Sequence, residues 1–369
     1  MNPVELARPD IRALQPYSSA RMEARGGAIA LNANESPWPP FDNGAGWNRY
    51  PDPQPAALLE RLAGLYGVDA TQVLIGRGSD ECIDLLVRAF CRAGRDTILV
   101  SPPTFGMYAT CARVQGAGVA EAPLREDFAL DADALLEAVT PSVKLVFVCT
   151  PNNPSGAGVP RATTLRLAKA LEGRAMLVVD EAYVEFVDPG GECGSVADCV
   201  GGITNLVVLR TLSKAWALAG VRVGAMLADA RVVMLLRKIM PPYPLPLPSA
   251  AAALGALSDG GERVMRERVA KILRERARMR AALSQLACVR KVLPSQANFL
   301  AVRFRDADAV SAALQDAGVV VRDVRRYPML GDALRITVGT PEENARVLAA
   351  LRPAPAPARI SVTRSGQPA

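Results

Sequence analysis

Histidine is missing from all 369 residues. Its absence removes Ser-His-Asp and Cys-His nucleophilic machinery, imidazole general-base catalysis and every histidine-containing metal site. Cysteine offers no substitute. The seven, Cys82, Cys91, Cys111, Cys149, Cys193, Cys199 and Cys288, are odd in number and scattered, without a C-x-x-C pair. They read as reduced buried thiols, and neither a disulfide frame nor a zinc site is expected. No apolar run approaches the ~20 residues that span a bilayer. The opening MNPVELARPDIRAL mixes acids, prolines and arginines and has no apolar signal core. A soluble, cytoplasmic chain with no membrane partner is expected. Any chemistry has to come from Lys, Asp, Tyr, Arg, Ser or a borrowed cofactor.

Half of the residues are hydrophobic, enough for a large core, and at ~150 residues per domain the length suggests two domains. The net charge is 43 − 37 = +6, and only six of the 43 basic residues are lysines. The densest basic stretch, RVMRERVAKILRERARMR (263–280), interleaves charge with Val269, Ile272 and Leu273. No aromatic or recognition motif accompanies it, so it reads as the solvated face of an amphipathic helix, with no nucleic-acid partner.

Short apolar runs each lead into a loop and then a helix: TILVS (97–101), KLVFVCT (144–150), AMLVVD (175–180) and NLVVLR (205–210). Helical periods fill the gaps at 79–92 and 161–172. This alternation predicts an α/β fold with a mostly parallel sheet sandwiched by helices. MPPYPLPLPS (240–249), with five prolines in eight residues, reads as a stiff inter-domain passage. Beyond it a helical region (249–286), NFLAVRF (298–304), a helix at 307–317, VVVRDV (319–324) and LRITVG (334–339) predict a smaller α+β domain. The tail PAPAPARISVTRSGQPA has no apolar period and reads as disordered.

Four segments carry chemistry. In TLSKAWALAGVRVG (211–224), Lys214 stands just past a strand, with Thr211, Ser213 and Arg222 nearby. A desolvated lysine is an amine nucleophile, and hydroxyls with a guanidinium suit a phosphate. Asp180 ends a strand with Tyr183 three residues on, where ligands of α/β sheets bind; a helix cap or loop ion pair is the competing reading. CTPNNPSG (149–156) puts two asparagines at another strand end, although turn chemistry explains part of it. Gly76, Gly78, Ser79 and Asp80 open a helix, a natural anion site that meets neither the dinucleotide nor the Walker pattern. Amine, carboxylate, tyrosine, amide and two anion patches are together what pyridoxal 5′-phosphate requires.

At this point the residues resemble a family. LNANESP (31–37), NRYPDPQ (48–54), GRGSDECIDLLVRAF (76–90), PPTFGMY (102–108), PNNPSG, VVDEAYVEF, TLSKAWALAGVRVG, PPYPL (241–245) and LRITVGT (334–340) follow the order found in fold-type I aminotransferases, and most closely in the histidinol-phosphate aminotransferases. The likeness covers about residues 10–352. It implies pyridoxal 5′-phosphate bound covalently through Lys214, which also shuttles the substrate proton. Asp180 would pair with the pyridinium nitrogen, Tyr183 and Asn153 would bind the ring oxygen, and Phe105 would stack on the ring. Ser79, Asp80, Thr211, Ser213 and Arg222 would hold the phosphate, with Tyr50 reaching the partner subunit's site in a homodimer. Arg322 and Arg335 would grip the substrate phosphate, Asn153 would also face the substrate, and Tyr17 would close over it. Ser155 and Phe105 stand where the family more often has Thr and Tyr.

The resemblance further implies a ping-pong exchange in histidine biosynthesis between histidinol phosphate with 2-oxoglutarate and imidazole-acetol phosphate with glutamate. An aromatic or broad-specificity aminotransferase and a threonine-phosphate decarboxylase remain alternatives on this fold. A non-catalytic regulator is a remote one, since the roughly thirty residues before LNANE are too few for a DNA-binding domain. The division expected is an N-terminal arm associated with the small domain (1–33), a large cofactor-binding domain (34–245), a small domain (246–352) and a tail (353–369).

Overall fold

The computed structural model describes residues 2–17, 31–40 and 46–352. Its larger sheet has seven strands: β1 (Val73–Gly76), β2 (Thr97–Val100), β3 (Gly118–Glu121), β4 (Val143–Cys149), β5 (Met176–Asp180), β6 (Leu206–Thr211) and β7 (Gly224–Leu227). They lie in the order β1-β7-β6-β5-β4-β2-β3, all parallel except β7, which runs antiparallel between β1 and β6. The expected mostly parallel sheet is there. β5 and β6 are buried throughout and β4 nearly so, because helices cover both faces; hence their unbroken apolar sequences.

Side-chain alternation divides the core in two. Leu177, Val179, Leu206 and Val208 enter the cluster on one face, while Met176, Val178, Val207 and Leu209 enter the other. The second face carries the helices Ser79–Phe90, Met107–Gln115 and Ala230–Arg237.

A second sheet joins β8 (Val289–Val292), β9 (Phe299–Phe304), β10 (Arg322–Asp323) and β11 (Ala333–Thr337), in the antiparallel order β10-β11-β9-β8. The helices Ala307–Asp316 and Pro341–Ala350 cover it. Of the stretch expected as a strand over 319–324, only Arg322–Asp323 pairs; Val320 stands 96% exposed, with no sheet neighbour to cover it.

Three expectations about organisation need correction. The described part of the N-terminal arm lies on the large domain: Arg8 N–H donates to Ala89 O (3.0 Å), Lys238 donates to Arg12 O (2.8 Å), and Ala7 is buried among the second-face residues. The proline passage does not separate the cores either. Pro248 sits in the first turn of the helix Leu247–Ala256, where its missing N–H costs nothing, and Ala250 and Ala253 pack into the large core. The helical region expected over 249–286 divides at Ser258, whose side chain caps the next helix, Asp259–Leu283, by accepting from Gly261 N–H (3.3 Å). That helix is the crossing between cores, with Val269 in the large one and Met279 and Leu283 in the small. Its face is not wholly solvated: Arg276 is 5% exposed and donates to Phe186 O and Ala297 O, both at 2.8 Å. The tail at 353–369 lies outside the described residues.

Candidate active site

The carboxyl ends of β4, β5 and β6 open onto one cavity of about 330 Å³, a volume typical of small-molecule sites. Alternation decides what each strand sends there. Asp180 follows Met176 and Val178 to the second face, and Thr211 follows Val207 and Leu209. Their neighbours Glu181 and Arg210 turn to the opposite face and pair with each other at 3.2 Å. Arg210 also meets Glu185 at 2.7 Å and lies over the Tyr66 ring.

Asp180 is almost completely buried, and burial pushes its carboxyl above the usual range. Hydrogen bonds from Tyr108 Oη to Oδ2 (2.6 Å) and from Ala182 N–H to Oδ1 (3.1 Å) pull it back. Lys214 is displaced in the other direction: burial, then the positive charge of Arg335, lowers its affinity for a proton. Its Nζ lies 5.5 Å from the centre of the Tyr183 ring, whose phenol burial pushes well upward. An amine that sheds its proton easily thus shares the cavity with a buried acid.

One end of the cavity is built for an anion. The helix Ser79–Phe90 begins after Gly78 without a side-chain cap, so its first-turn N–H groups remain open to a ligand. The Arg222 guanidinium lies 3.1 Å from Asp80 Oδ2 and 3.3 Å from Ser213 Oγ, and Thr211 Oγ1 is 3.0 Å from Ser213 Oγ. Two glycines let these parts close together. A Cβ on Gly78 (φ +81°) would stand 2.6 Å from Arg222 Nη2, and one on Gly224 would stand 2.4 Å from Ser79 N.

The other end comes from the small sheet. Arg322 on β10 and Arg335 on β11 are cross-strand partners, and both line the cavity. Arg335 donates to Asn153 Oδ1 and lies 5.0 Å from the Phe299 ring centre, while its buried Nε has no partner. With Oδ1 taken, Asn153 has its amide N–H groups left to offer. Asn152 is the structural one of the pair: its amide donates to Pro103 O (2.9 Å) and Ser155 Oγ (2.7 Å).

Ser79, Asp80, Phe105, Asn153, Asp180, Tyr183, Thr211, Ser213, Lys214, Arg222, Arg322 and Arg335 line this one space. Two residues expected with them do not. Tyr50 is 46% exposed, stacks on Tyr243 at 4.3 Å and faces a neighbouring groove with Trp47 and Pro246. Tyr17 is 70% exposed beside Gln54, Lys238 and Pro242, because the residues just before it are tied to the large domain. Conversely, Cys149, Ala182, Val324 and Tyr327 line the cavity and Tyr108 braces Asp180, none of which the sequence reading singled out. Tyr108 lies three residues beyond Phe105 within PPTFGMY; only the face on which Asp180 emerges links the two.

A phosphorylated aromatic aldehyde fits this donor set: an open helix terminus, hydroxyls and a guanidinium for the phosphate, an amine for the aldehyde, and a buried carboxylate for a ring nitrogen. The relatives of the chain agree in class. Residues 28–351 match the family Aminotransferase class I and II. The chain is 52% identical over 354 residues to a histidinol-phosphate aminotransferase of Xanthomonas euvesicatoria, covering 95% of this chain and 96% of that one. It is 52% identical to a protein of the same name from Xylella fastidiosa, over 95% and 96% of the two chains. The crystal structure of histidinol-phosphate aminotransferase from Sinorhizobium meliloti in complex with pyridoxal-5′-phosphate superposes with a TM-score of 0.74 at 28% identity, covering 82% of each chain. The chain belongs to the class I and II aminotransferases and, within them, to the histidinol-phosphate aminotransferase family.

Proposed function

We propose that this chain transfers the amino group of histidinol phosphate to 2-oxoglutarate, giving imidazole-acetol phosphate and glutamate, as a step of histidine biosynthesis. The observation that carries the reading is the guanidinium pair Arg322–Arg335, set in the same cavity as Lys214 and Asp180. Two cations on adjacent strands repel unless a dianion lies between them, and a phosphate monoester supplies it.

Pyridoxal 5′-phosphate, when bound, supplies an electron-withdrawing ring that accepts the electron pair left when the substrate Cα loses its proton. Lys214 Nζ would anchor the aldehyde and then take and return that proton; burial and the charge of Arg335 lower its proton affinity, which favours the free base. Asp180 would accept from the ring N–H, Tyr183 and the Asn153 amide would donate to the ring oxygen, and Phe105 would lie against the ring. The Ser79 and Asp80 N–H groups, Thr211, Ser213 and Arg222 hold the cofactor phosphate. Both half-reactions share one site, so the kinetics are ping-pong.

The enzyme works as a homodimer in which Tyr50 serves the partner's phosphate site; its exposure and its place outside its own cavity support this. A cytoplasmic location is supported by seven unpaired thiols. Among the described residues no helix is long and apolar enough to cross a membrane. The deciding experiment adds histidinol phosphate, phenylalanine and threonine phosphate separately to cofactor-loaded protein, following the cofactor absorbance and the products. Fastest conversion by histidinol phosphate is expected. Carbon dioxide release from threonine phosphate, or preference for phenylalanine, would overturn the assignment.

A further inference from the structure

Tyr108 lies in the first turn of the helix Met107–Gln115 and is fully buried. Its ring is stacked on Phe147 (4.6 Å between centroids, 14° between planes) and edge-on to Phe105 (5.6 Å, 84°). Held on two sides, it can direct its hydroxyl one way, and that way leads to Asp180 Oδ2 at 2.6 Å. Burial and the adjacent carboxylate push the phenol well above its ordinary range, so it keeps its proton and donates. Among the described residues no other side chain hydrogen-bonds this carboxylate; the second oxygen is held by the backbone N–H of Ala182. Both bonds oppose the burial that raises the proton affinity of this carboxyl.

We propose that Tyr108 is a positioning residue for the reaction: its hydroxyl keeps Asp180 a carboxylate aimed at the cofactor's ring nitrogen, so the grip of Asp180 on that nitrogen depends on it. The inference rests on the functional reading above and extends it to a residue that lies behind the cavity wall and touches neither cofactor nor substrate. The same ring backs Phe105 edge-on, so one side chain steadies both the acid at the ring nitrogen and the residue proposed to cover the ring face. A phenol suits this task because, unlike an imidazole, it does not titrate across the neutral range.

The test is Tyr108→Phe, which keeps the ring between Phe147 and Phe105 and removes only the hydroxyl. Cofactor-free protein is reconstituted with pyridoxal 5′-phosphate, and separately with its analogue carrying carbon in place of the ring nitrogen. The expected result is a cofactor-free variant that still folds cooperatively, with a melting temperature lowered by no more than the loss of one hydrogen bond, and a Kd for pyridoxal 5′-phosphate raised about tenfold or more. Affinity for the carbon analogue should change by less than about threefold, since there is no ring N–H for Asp180 to meet. In an Asp180→Asn background, Tyr108→Phe should then add nothing to the loss of pyridoxal 5′-phosphate affinity. Equal weakening toward both cofactors would reduce Tyr108 to a packing residue and overturn the proposal, as would no weakening at all. Failure of the unaltered protein to bind pyridoxal 5′-phosphate would strike the functional reading itself, a separate outcome visible in the control.

Discussion

Arg322 and Arg335 stand directly opposite each other on β10 and β11, two guanidiniums at one end of the cavity. Arg335 is further fixed by Asn153 and the Phe299 ring, whereas Arg322 is exposed. Each change to Ala should therefore raise KM for histidinol phosphate about 10- to 100-fold, more for Arg335, with a smaller effect on kcat. Steady-state kinetics at fixed 2-oxoglutarate give the split, and an unchanged KM in both variants would remove the phosphate from this end of the site.

Lys214→Ala should abolish turnover while the melting curve and the circular dichroism spectrum stay those of the unaltered protein. Borohydride treatment of cofactor-loaded protein should label Lys214 and fail to label the variant. Residual full activity would move the reacting amine elsewhere.

The reactivity of Lys214 should also carry a pH signature. Its proton affinity in the folded chain is lowered, by burial first and by Arg335 second. In cofactor-free protein its amine should therefore react with an aldehyde probe with a midpoint below the ordinary lysine value of ~10.4. The linked stability is lost as pH falls through that midpoint, because the unfolded chain binds the proton more tightly. Arg335→Ala should move the midpoint upward. A downward move would contradict the assigned cause.

Asp180 has the opposite sign. Its folded-state proton affinity is raised by burial, so the ionised form costs stability as pH climbs above the carboxylate range. Asp180→Asn should lower kcat by orders of magnitude yet leave the cofactor-free protein at least as heat-stable at pH 7. Loss of stability there would mean that the carboxylate has a structural role.

If Tyr50 acts across a subunit boundary, mixing inactive Lys214→Ala with weakened Tyr50→Ala should restore activity. A statistical mixture contains one intact site in each mixed dimer, or about a quarter of the unaltered activity. Size exclusion establishes the dimer first, and no recovery after subunit exchange would confine Tyr50 to its own chain.

Much of the large domain could be read in the sequence because burial on both faces writes itself as unbroken apolar runs, as in β4, β5 and β6. β1 and β7 escaped: four residues each, bounded by glycine, carry too little periodicity, and β7 pairs antiparallel both with β6, the strand just before it, and with β1, far earlier in the chain. β3 is an edge strand with no fully buried residue and has no core pattern to display. The cavity residues were readable because they cluster at strand ends in motifs. Tyr108 was not, since its bond to Asp180 spans 72 positions and follows from the packing of a helix against a sheet face. Tyr17 and Tyr50 share another difficulty, since neither faces the cavity of its own chain.

Asp180 and Glu181 are consecutive acids sent to opposite sides of one sheet, the first toward the cavity and the second into the ion cluster around Arg210. Inserting a single residue within β5 would turn Asp180 toward Arg210 and set Val179 at the cavity, leaving the Tyr108 phenol with no carboxylate to meet. The spacing of this strand is therefore as much a part of the catalyst as any side chain it bears, and designers who shorten or lengthen it should expect a dead enzyme even where the fold survives.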